Sequence, residues 1–222
     1  MTTLVEKFRG FLKAGAIVDP GLPLDQIPFV VVDTELTGLD MKRDSVISVG
    51  ALKMAGTRIE LGRSFYRLVS PRADFKREGI MVHGITPDDV AAKPSLDVVA
   101  DELLAFCGDR ILVGHFLSLD LGFLGRESAV VKAADLRRRA VDTVRIHSWV
   151  EQQRHRHGGG YTVPEGALNL VSLALSHGIR VSGAHNALSD AFITAQLLQR
   201  QLRALPALGV RTLGDLLRVG KP

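Results

Sequence analysis

The amino-acid sequence predicts an α/β domain in which a mixed β-sheet is flanked by α-helices. Three observations support this fold class: a buried apolar run at residues 29–32, two strand-like segments joined by a short turn, and a later alternation of strand and helix patterns. Leading antiparallel hairpin strands followed by such an alternation indicate one mixed sheet whose later strands are parallel. The 222 residues suffice for one substantial domain.

The domain proper is expected to span residues 28–205. Residues 1–27 precede it as a short amphipathic helix and a linker rich in proline and glycine. Residues 206–222 follow it as a C-terminal tail. The apolar spacing of LGVRTLGDLLR within this tail fits either a docking helix or packing on its own domain.

The first three predicted strands are adjacent in the sequence. The run FVVV at residues 29–32 is typical of a strand that is buried on both faces. Residues 46–54 and 58–69 also have strand character, and the sequence AGT at residues 55–57 fits a hairpin connection between them. The sheet is therefore expected to begin with three neighbouring strands.

Helical signals follow these strands. Thr86, Pro87 and Asp89 match a capping box with proline at the first helical position. Ser95 opens a second helix, which stops at Gly108. These signals mark where the chain changes from the hairpin strands to alternating elements.

The alternating part of the chain contains one clear strand and three clear helices. Residues 110–114 (RILVG) have the length and composition of a strand, and residues 117–127 look helical. Residues 140–143 begin either a strand or a helix. A capped helix over residues 170–177 and a long final helix over residues 187–204 complete the prediction.

Composition and charge exclude several classes of protein. Hydrophobic residues make up 46% and charged residues 23%, which is ordinary for globular proteins and unlike disordered or fibrous chains. The single cysteine, Cys107, cannot form an internal disulfide and fits a reducing compartment. No signal peptide or membrane-length apolar run is recognised, so a cytoplasmic location without membrane contact is expected. The net charge of +4 allows a polyanionic partner without requiring one.

Four acidic residues stand out by their positions. Asp33 and Glu35 end the first apolar run two positions apart, so their side chains share a face if the strand continues. Asp120 follows RILVG by a few residues, and Asp190 lies early on the final helix. Taken singly, each fits a helix cap, a turn or a solvated helix face.

Taken together, the four acids predict a site for divalent cations. Like charges in a partly desolvated pocket either bind protons or need cations. Mg²⁺ binds carboxylate oxygens, keeps several waters and accepts phosphate oxygens, and two such ions would balance four carboxylates in a phosphodiester hydrolase. His185, five residues before Asp190, is then suited to take a proton from the attacking water near neutral pH. Without the acids it would be read as a polar loop histidine.

Three separated segments share their order and spacing with the motifs of a known enzyme family. They are DTELTG at residues 33–38, HFLSLD at 115–120 and HNALSD at 185–190. The sequence resembles the DEDDh exonucleases, the family of the proofreading epsilon subunit of bacterial DNA polymerase III and of RNase T. HGIT at residues 83–86 also resembles a family segment, and the resemblance covers residues 28–205.

The resemblance implies an RNase H-like fold and a set of site residues. It implies that two Mg²⁺ or Mn²⁺ ions are held by Asp33, Glu35, Asp120 and Asp190. His185 would be the general base, and a 5′-mononucleotide would be released from a 3′ end. The expected border of the terminal nucleotide consists of Thr37, Gly38, Leu39, His115 and Phe116.

Three positions depart from the family pattern. Leu36 stands where the first motif usually has threonine, and Phe116 and Leu119 occupy the usual asparagine and phenylalanine positions of the second motif. The five residues expected for catalysis are all present. The Phe116 departure bears on how the terminal nucleotide is held.

The hypothesis from sequence is a metal-dependent 3′-to-5′ exonuclease that acts on single-stranded ends. DNA is favoured over RNA as substrate, in proofreading or end trimming, and a polymerase or another replication or repair protein is the expected partner. RNA trimming stays open because no feature of the sequence reads the 2′-hydroxyl. A catalytically silent binding domain is the alternative from another class, and the presence of all five residues argues against it.

A basic, glycine-rich segment, RHRHGGG at residues 154–160, is interpreted as a solvated loop. Its two alternating histidines do not supply a complete ligand set for a metal such as zinc. Contact with phosphate through Arg154 and Arg156 is a secondary interpretation.

Overall fold

The computed structural model describes residues 19–155, 164, 166–183 and 185–222. Its sheet has five strands in the order β3-β2-β1-β4-β5. The strands are β1 Pro28–Leu36, β2 Val46–Ala55, β3 Arg58–Leu68, β4 Ile111–Gly114 and β5 Ala140–Asp142. β1, β2 and β3 are antiparallel neighbours, whereas β4 runs parallel to both β1 and β5. The predicted mixed sheet is therefore confirmed.

Nine helices surround this sheet within the described part of the chain. They are α1 Arg77–His83, α2 Pro87–Val90, α3 Leu96–Cys107, α4 Leu117–Glu127, α5 Ala133–Arg137, α6 Thr143–Arg154, α7 Leu170–Ser176, α8 Ala187–Ala204 and α9 Leu213–Val219. The ambiguity at residues 140–143 is resolved in favour of both elements, because the strand β5 ends where α6 begins. The predicted capping box of α2 is present.

The central strand β1 separates two hydrophobic clusters. Phe29 and Val31 belong to the cluster that includes α8, whereas Val30 and Val32 belong to the opposite cluster, which includes α3 and α4. Both faces of β1 are therefore buried, as the apolar run FVVV predicted. The alternation also decides that Asp33 and Glu35 continue the face covered by α8, whereas Thr34 continues the face covered by α4.

Gly50 of β2 allows α8 to lie close to the sheet. A Cβ atom at Gly50 would stand 2.3 Å from the backbone of Ala187 and Leu188, in the first turn of α8. No other residue type fits this approach, because real Cβ contacts are never so short. The start of α8 is thereby placed directly over the strand that pairs with β1.

The C-terminal segment packs on its own domain. Leu213 and Leu216 of α9 are buried in the same cluster as Phe29. The carbonyl oxygen of Gly220 accepts a hydrogen bond of 2.7 Å from the backbone N–H of Asp142. Of the two alternatives for residues 206–222, packing on the domain is the one observed.

Some sequence predictions meet the limits of the described residues. Leu24 and Ile27, which precede the predicted domain start, are buried in the core cluster with Phe29, and the exact domain limits stay a prediction. The predicted N-terminal helix falls on residues that are not described. Arg154 is the last residue of α6 rather than part of a loop, and residues 156–160 of RHRHGGG lie outside the described residues.

None of the helices in the described ranges is long and apolar enough to cross a membrane. The cytoplasmic location stays a prediction.

Candidate active site

Three of the predicted acids meet at the end of the central strand. One carboxylate oxygen from each of Asp33, Glu35 and Asp190 lies within 4.8 Å of the other two. Asp33 and Glu35 share a face because the extended geometry of β1 continues to Glu35, after which the pairing with β2 shifts register. Asp190 reaches the same face from the first turn of α8. We call these residues the carboxylate cluster.

The fourth acid, Asp120, approaches from the other face of the sheet. It is buried on the first turn of α4, and its Oδ1 atom accepts a hydrogen bond of 2.6 Å from Thr34 Oγ1. Thr34 faces α4 because it alternates with Asp33 and Glu35 along β1. Asp120 lies outside the three residues whose oxygens are all within 4.8 Å of one another, but its charge is close enough to raise the pKa values of Asp33 and Glu35. Its ligand role stays a prediction.

Burial and like charge raise the pKa values of these acids. Burial is the largest cause at Asp33, and Asp120, Asp190 and Glu35 raise its pKa further. The pKa of Glu35 is raised to about 8 by burial and by the charges of Asp190 and Asp120. Burial raises the pKa of Asp120 to about 7, and it also raises the pKa of Asp190. Such carboxyls bind protons near neutral pH unless a cation replaces them.

The carboxylate cluster fits a divalent cation. Glu35 Oε1 and Asp190 Oδ1 are buried and have no hydrogen-bond partner among the described residues. Buried polar atoms without partners are rare, and each calls for a specific explanation. Since all the donors are carboxylate oxygens, the set suits a hard cation such as Mg²⁺ or Mn²⁺.

His185 lies on the exposed turn that leads into α8. Its φ angle of 67° is in the left-handed region, which few residues other than glycine adopt. Its backbone N–H donates a hydrogen bond of 3.2 Å to Asp190 Oδ2, and the next residue, Asn186, caps α8. The turn therefore ties His185 to the carboxylate cluster. The pKa of His83 is lowered mainly by burial and also by the charge of His185, so the two histidines lie close together.

The loop between β1 and β2 carries three of the predicted nucleotide-border residues. Thr37 is buried and its hydroxyl donates to Asp44 Oδ1 at 3.2 Å. A Cβ atom at Gly38 would stand 2.5 Å from Asp44 Oδ2 and 2.9 Å from Lys76 Nζ, so the loop packs tightly there. Leu39, by contrast, is 74% exposed. Thr37 and Gly38 support the loop, and the side chain of Leu39 faces solvent.

His115 and Phe116 have different surroundings. His115 is buried, with Nδ1 2.8 Å from Thr143 Oγ1 and Nε2 2.7 Å from the carbonyl oxygen of Leu168. Burial lowers its pKa to about 4, so the ring is neutral. Both ring nitrogens are therefore engaged within the protein, and the contact of His115 with a nucleotide stays a prediction. Phe116 is half-exposed beside it.

Comparison with known proteins bears on the family of the chain. An exonuclease family model, RNase T, matches residues 30–198. The chain belongs to this exonuclease family. The predicted family and the predicted class of enzyme are thereby confirmed.

Named relatives of this RNase T-family exonuclease include bacterial polymerase subunits. A DNA polymerase III subunit epsilon of Aquifex aeolicus is 28% identical over 177 residues, which are 80% of this chain and 81% of that protein. A DNA polymerase III subunit epsilon-like protein of Rhodobacter capsulatus is 31% identical over 196 residues, which are 88% of this chain. The chain spans 26% of the length of the Rhodobacter protein.

Solved structures share the fold of this RNase T-family exonuclease. E. coli exonuclease I in complex with a dT13 oligonucleotide superposes with a TM-score of 0.65 at 18% sequence identity. The match covers 83% of this chain and 44% of that one. The predicted RNase H-like fold is confirmed by this likeness.

Two supporting residues of this exonuclease were not identified from the sequence. Thr34 holds Asp120, as described above. Asp142 is buried at the end of β5, where its Oδ2 accepts from Leu117 N at 3.0 Å and its Oδ1 from Val144 N at 2.8 Å. Asp142 follows the apolar pair AV, which is the same strand-then-acid pattern that singled out Asp33. This signal was present in the sequence, whereas nothing distinguished Thr34.

Proposed function

We propose that this RNase T-family exonuclease removes nucleotides from the 3′ end of single-stranded DNA by hydrolysing phosphodiester bonds and releasing 5′-mononucleotides. The observation that carries the proposal is the carboxylate cluster, with oxygens of Asp33, Glu35 and Asp190 within 4.8 Å of one another. So concentrated a negative charge repels a phosphodiester unless cations lie between the two. The cluster therefore suits metal-dependent hydrolysis of a phosphate ester.

The residues that would hold two Mg²⁺ or Mn²⁺ ions are the carboxylate cluster together with Asp120. Such ions, when bound, supply an activated water and neutralise the charge on the phosphate. The unpartnered oxygens of Glu35 and Asp190 support this assignment. Thr34 keeps the Asp120 carboxylate at the strand end by donating a hydrogen bond to it.

His185 is proposed to accept the proton of the attacking water. Histidine is the side chain that most often serves as a general base in enzymes. The exposed position of His185 lets the ring return the proton to bulk water. The bond from its backbone N–H to Asp190 keeps it beside the carboxylate cluster.

Exposed apolar side chains on segments that adjoin the site acids in sequence, or that pack against such a segment, support a single-stranded substrate. Leu39 is 74%, Met81 79% and Phe116 47% exposed. Met81 belongs to α1, which packs against the loop of Leu39, since a Cβ atom at Gly79 would stand 3.2 Å from the carbonyl oxygen of Thr37. Unpaired bases offer faces that stack on such side chains without regard to sequence, whereas a duplex hides those faces.

The choice of DNA and of a polymerase partner rests on the relatives. Those from Aquifex and Rhodobacter are named as DNA polymerase III epsilon or epsilon-like proteins. We therefore propose DNA over RNA, and a replication or repair polymerase as partner. The family model itself carries the name of a ribonuclease, so RNA is tested on equal terms.

The decisive experiment is a nuclease assay on 3′-labelled and 5′-labelled DNA and RNA, each single-stranded and double-stranded. We expect mononucleotides from the 3′ end of single-stranded DNA with Mg²⁺ or Mn²⁺, and none in excess chelator. Asp33→Asn should abolish the release, whereas Asp101→Asn, at an exposed acid of α3, should not. Release from the 5′ end, or undiminished activity in chelator, would contradict the proposal.

A further inference from the structure

The helix that carries Asp120 begins without a cap of its own. The residue before α4 is Phe116, whose φ of 54° and ψ of 37° lie in the left-handed region. The first N–H groups of a helix need acceptors, which a side-chain oxygen at this position commonly supplies. Phenylalanine has no such oxygen. The start of α4 therefore depends on an acceptor from elsewhere in the chain.

That acceptor is Asp142, at the end of β5. Its Oδ2 atom accepts from Leu117 N, the first residue of α4, at 3.0 Å. Its Oδ1 atom accepts from Val144 N at 2.8 Å and so caps α6. One carboxylate thus joins the beginnings of two helices.

Asp142 is itself held firmly. Its residue is 3% exposed, and its backbone N–H donates to the carbonyl oxygen of Gly220. A Cβ atom at Gly220 would stand 2.7 Å from Val141 Cγ1, so the C-terminal segment lies directly against β5. The cap on α4 is therefore anchored to the sheet on one side and to the C-terminal segment on the other.

We propose that Asp142 is a positioning residue for Asp120: by holding Leu117, it fixes the place from which the Asp120 carboxylate reaches the metal site. The inference rests on the proposed function. Asp120 follows Leu117 within the first turn of α4, so a displaced first turn displaces Asp120 as well. Thr34 holds the tip of the same side chain. Residues that orient metal ligands in this way commonly affect metal affinity 10-fold to 100-fold, as an order of magnitude.

The substitution Asp142→Ser separates the two caps. Serine is a good N-cap residue and retains the bond to Val144 N, but its side chain is one bond too short for Leu117 N. We expect the Mn²⁺ affinity, measured by calorimetric titration without nucleic acid, to fall about tenfold. The kcat at saturating Mg²⁺ should fall by a similar factor, while the KM for an oligonucleotide changes less than about twofold.

Two further variants complete the test. The control variant is Asp89→Ala. It removes a carboxylate that accepts a hydrogen bond of 2.8 Å from Thr86 N at the exposed start of α2, so it also loses a helix cap. We expect this variant to keep the wild-type Mn²⁺ affinity. Asp142→Asn keeps the size of the side chain and one acceptor oxygen, so we expect it to lose only part of the Mn²⁺ affinity. This variant replaces Asp142→Ser in the test if the serine variant does not fold.

Wild-type Mn²⁺ affinity and kcat in folded Asp142→Ser, or in Asp142→Asn if that is the folded variant, would overturn the positioning role. Failure of the proposed function would look different. In that case the wild-type protein would release no nucleotides while its Mn²⁺ affinity still depended on Asp142.

Discussion

Glu35 is a carboxyl group whose burial and neighbours set its chemistry. Its pKa is raised from 4.5 to about 8, by burial first and then by Asp190 and Asp120. The pKa of Asp120 is likewise raised by burial, to about 7. Because Glu35 and Asp120 hold their protons to higher pH in the folded protein than in the unfolded chain, their contribution to the free energy of unfolding falls as pH rises from about 4.5 to about 8.

This linkage predicts how pH and metal act on stability. Without metal, we expect the Tm to fall between pH 6.5 and pH 8, because the raised carboxyls lose their protons there, above the range from about pH 4 to pH 6.5 in which the lowered pKa of His115 acts in the opposite direction. Mn²⁺ should restore the Tm most strongly near pH 8, since it binds the ionised form. Thermal unfolding in chelator and in Mn²⁺ measures both effects. A metal-free Tm that rises between pH 6.5 and pH 8 would show that the acids are not mutually repulsive.

His185 can be tested by separating turnover from metal binding. We expect His185→Ala to lower kcat about 10²-fold to 10⁴-fold, as is typical for loss of a general base. The Mn²⁺ affinity should change little, because the ligands are carboxylates. Calorimetry beside steady-state kinetics distinguishes the two. Equal losses in kcat and in affinity would make His185 a ligand instead.

Phe116 occupies a backbone conformation that suits asparagine better than phenylalanine. A residue with a β-carbon in the left-handed region costs about 1–2 kcal/mol, and asparagine tolerates it best after glycine. Asparagine would also offer a side-chain acceptor at the start of α4. We therefore predict that Phe116→Asn raises the free energy of unfolding by about 1 kcal/mol, or the Tm by about 2–4 °C.

The competing effect at Phe116 is loss of a ring contact. The rings of His115 and Phe116 meet edge to face, with centroids 5.1 Å apart. Because Phe116 is half-exposed, we expect this loss to be the smaller effect. Thermal unfolding decides between the two, and a lowered Tm would show that the ring contact dominates.

At the scale of elements, apolar periodicity decided which helices could be predicted. α3, α4 and α8 each bury a row of side chains, and the limits of α3 also follow from Ser95 and Gly108 in the sequence. α1 and α5 bury no residue, so they leave no apolar period and were not predicted. Short helices of this kind form because neighbouring loops fix their ends, which a local pattern does not encode.

The contact between α8 and β2 gives a prediction about Gly50. A Cβ atom there would meet the backbone of Ala187 and Leu188 at 2.3 Å, so Gly50→Ala must push α8 away from the sheet. We expect a loss of about 1–3 kcal/mol in the free energy of unfolding, as for other overpacked sites. The Mn²⁺ affinity should fall too, because Asp190 moves with α8.

Gly62→Ala is the matched control for Gly50. Gly62 lies on β3, in the same hairpin, and a Cβ atom there meets nothing within 4 Å. Chemical denaturation and Mn²⁺ titration of both variants make the comparison. Equal behaviour of the two variants would show that α8 is not held by its contact with Gly50.

At the scale of the whole molecule, the order and spacing of the motifs predicted the fold and the family, but only part of the arrangement of the site. Strand alternation correctly placed Asp33 and Glu35 on one face. It did not indicate that Asp120 approaches from the opposite face, because the side on which α4 packs depends on the crossover from β4. The engagement of both His115 ring nitrogens likewise depends on contacts with Thr143 and Leu168 that are distant in sequence.

The carboxylate cluster joins the first strand of the sheet to a helix near the other end of the domain. A nascent chain on the ribosome holds Asp33 and Glu35 long before Asp190 has been synthesised. Until α8 docks over Gly50, such a chain has no complete set of carboxylates. If the domain degrades nucleic acid as proposed, it therefore gains this activity only after Asp190 has been synthesised and α8 has docked on the sheet.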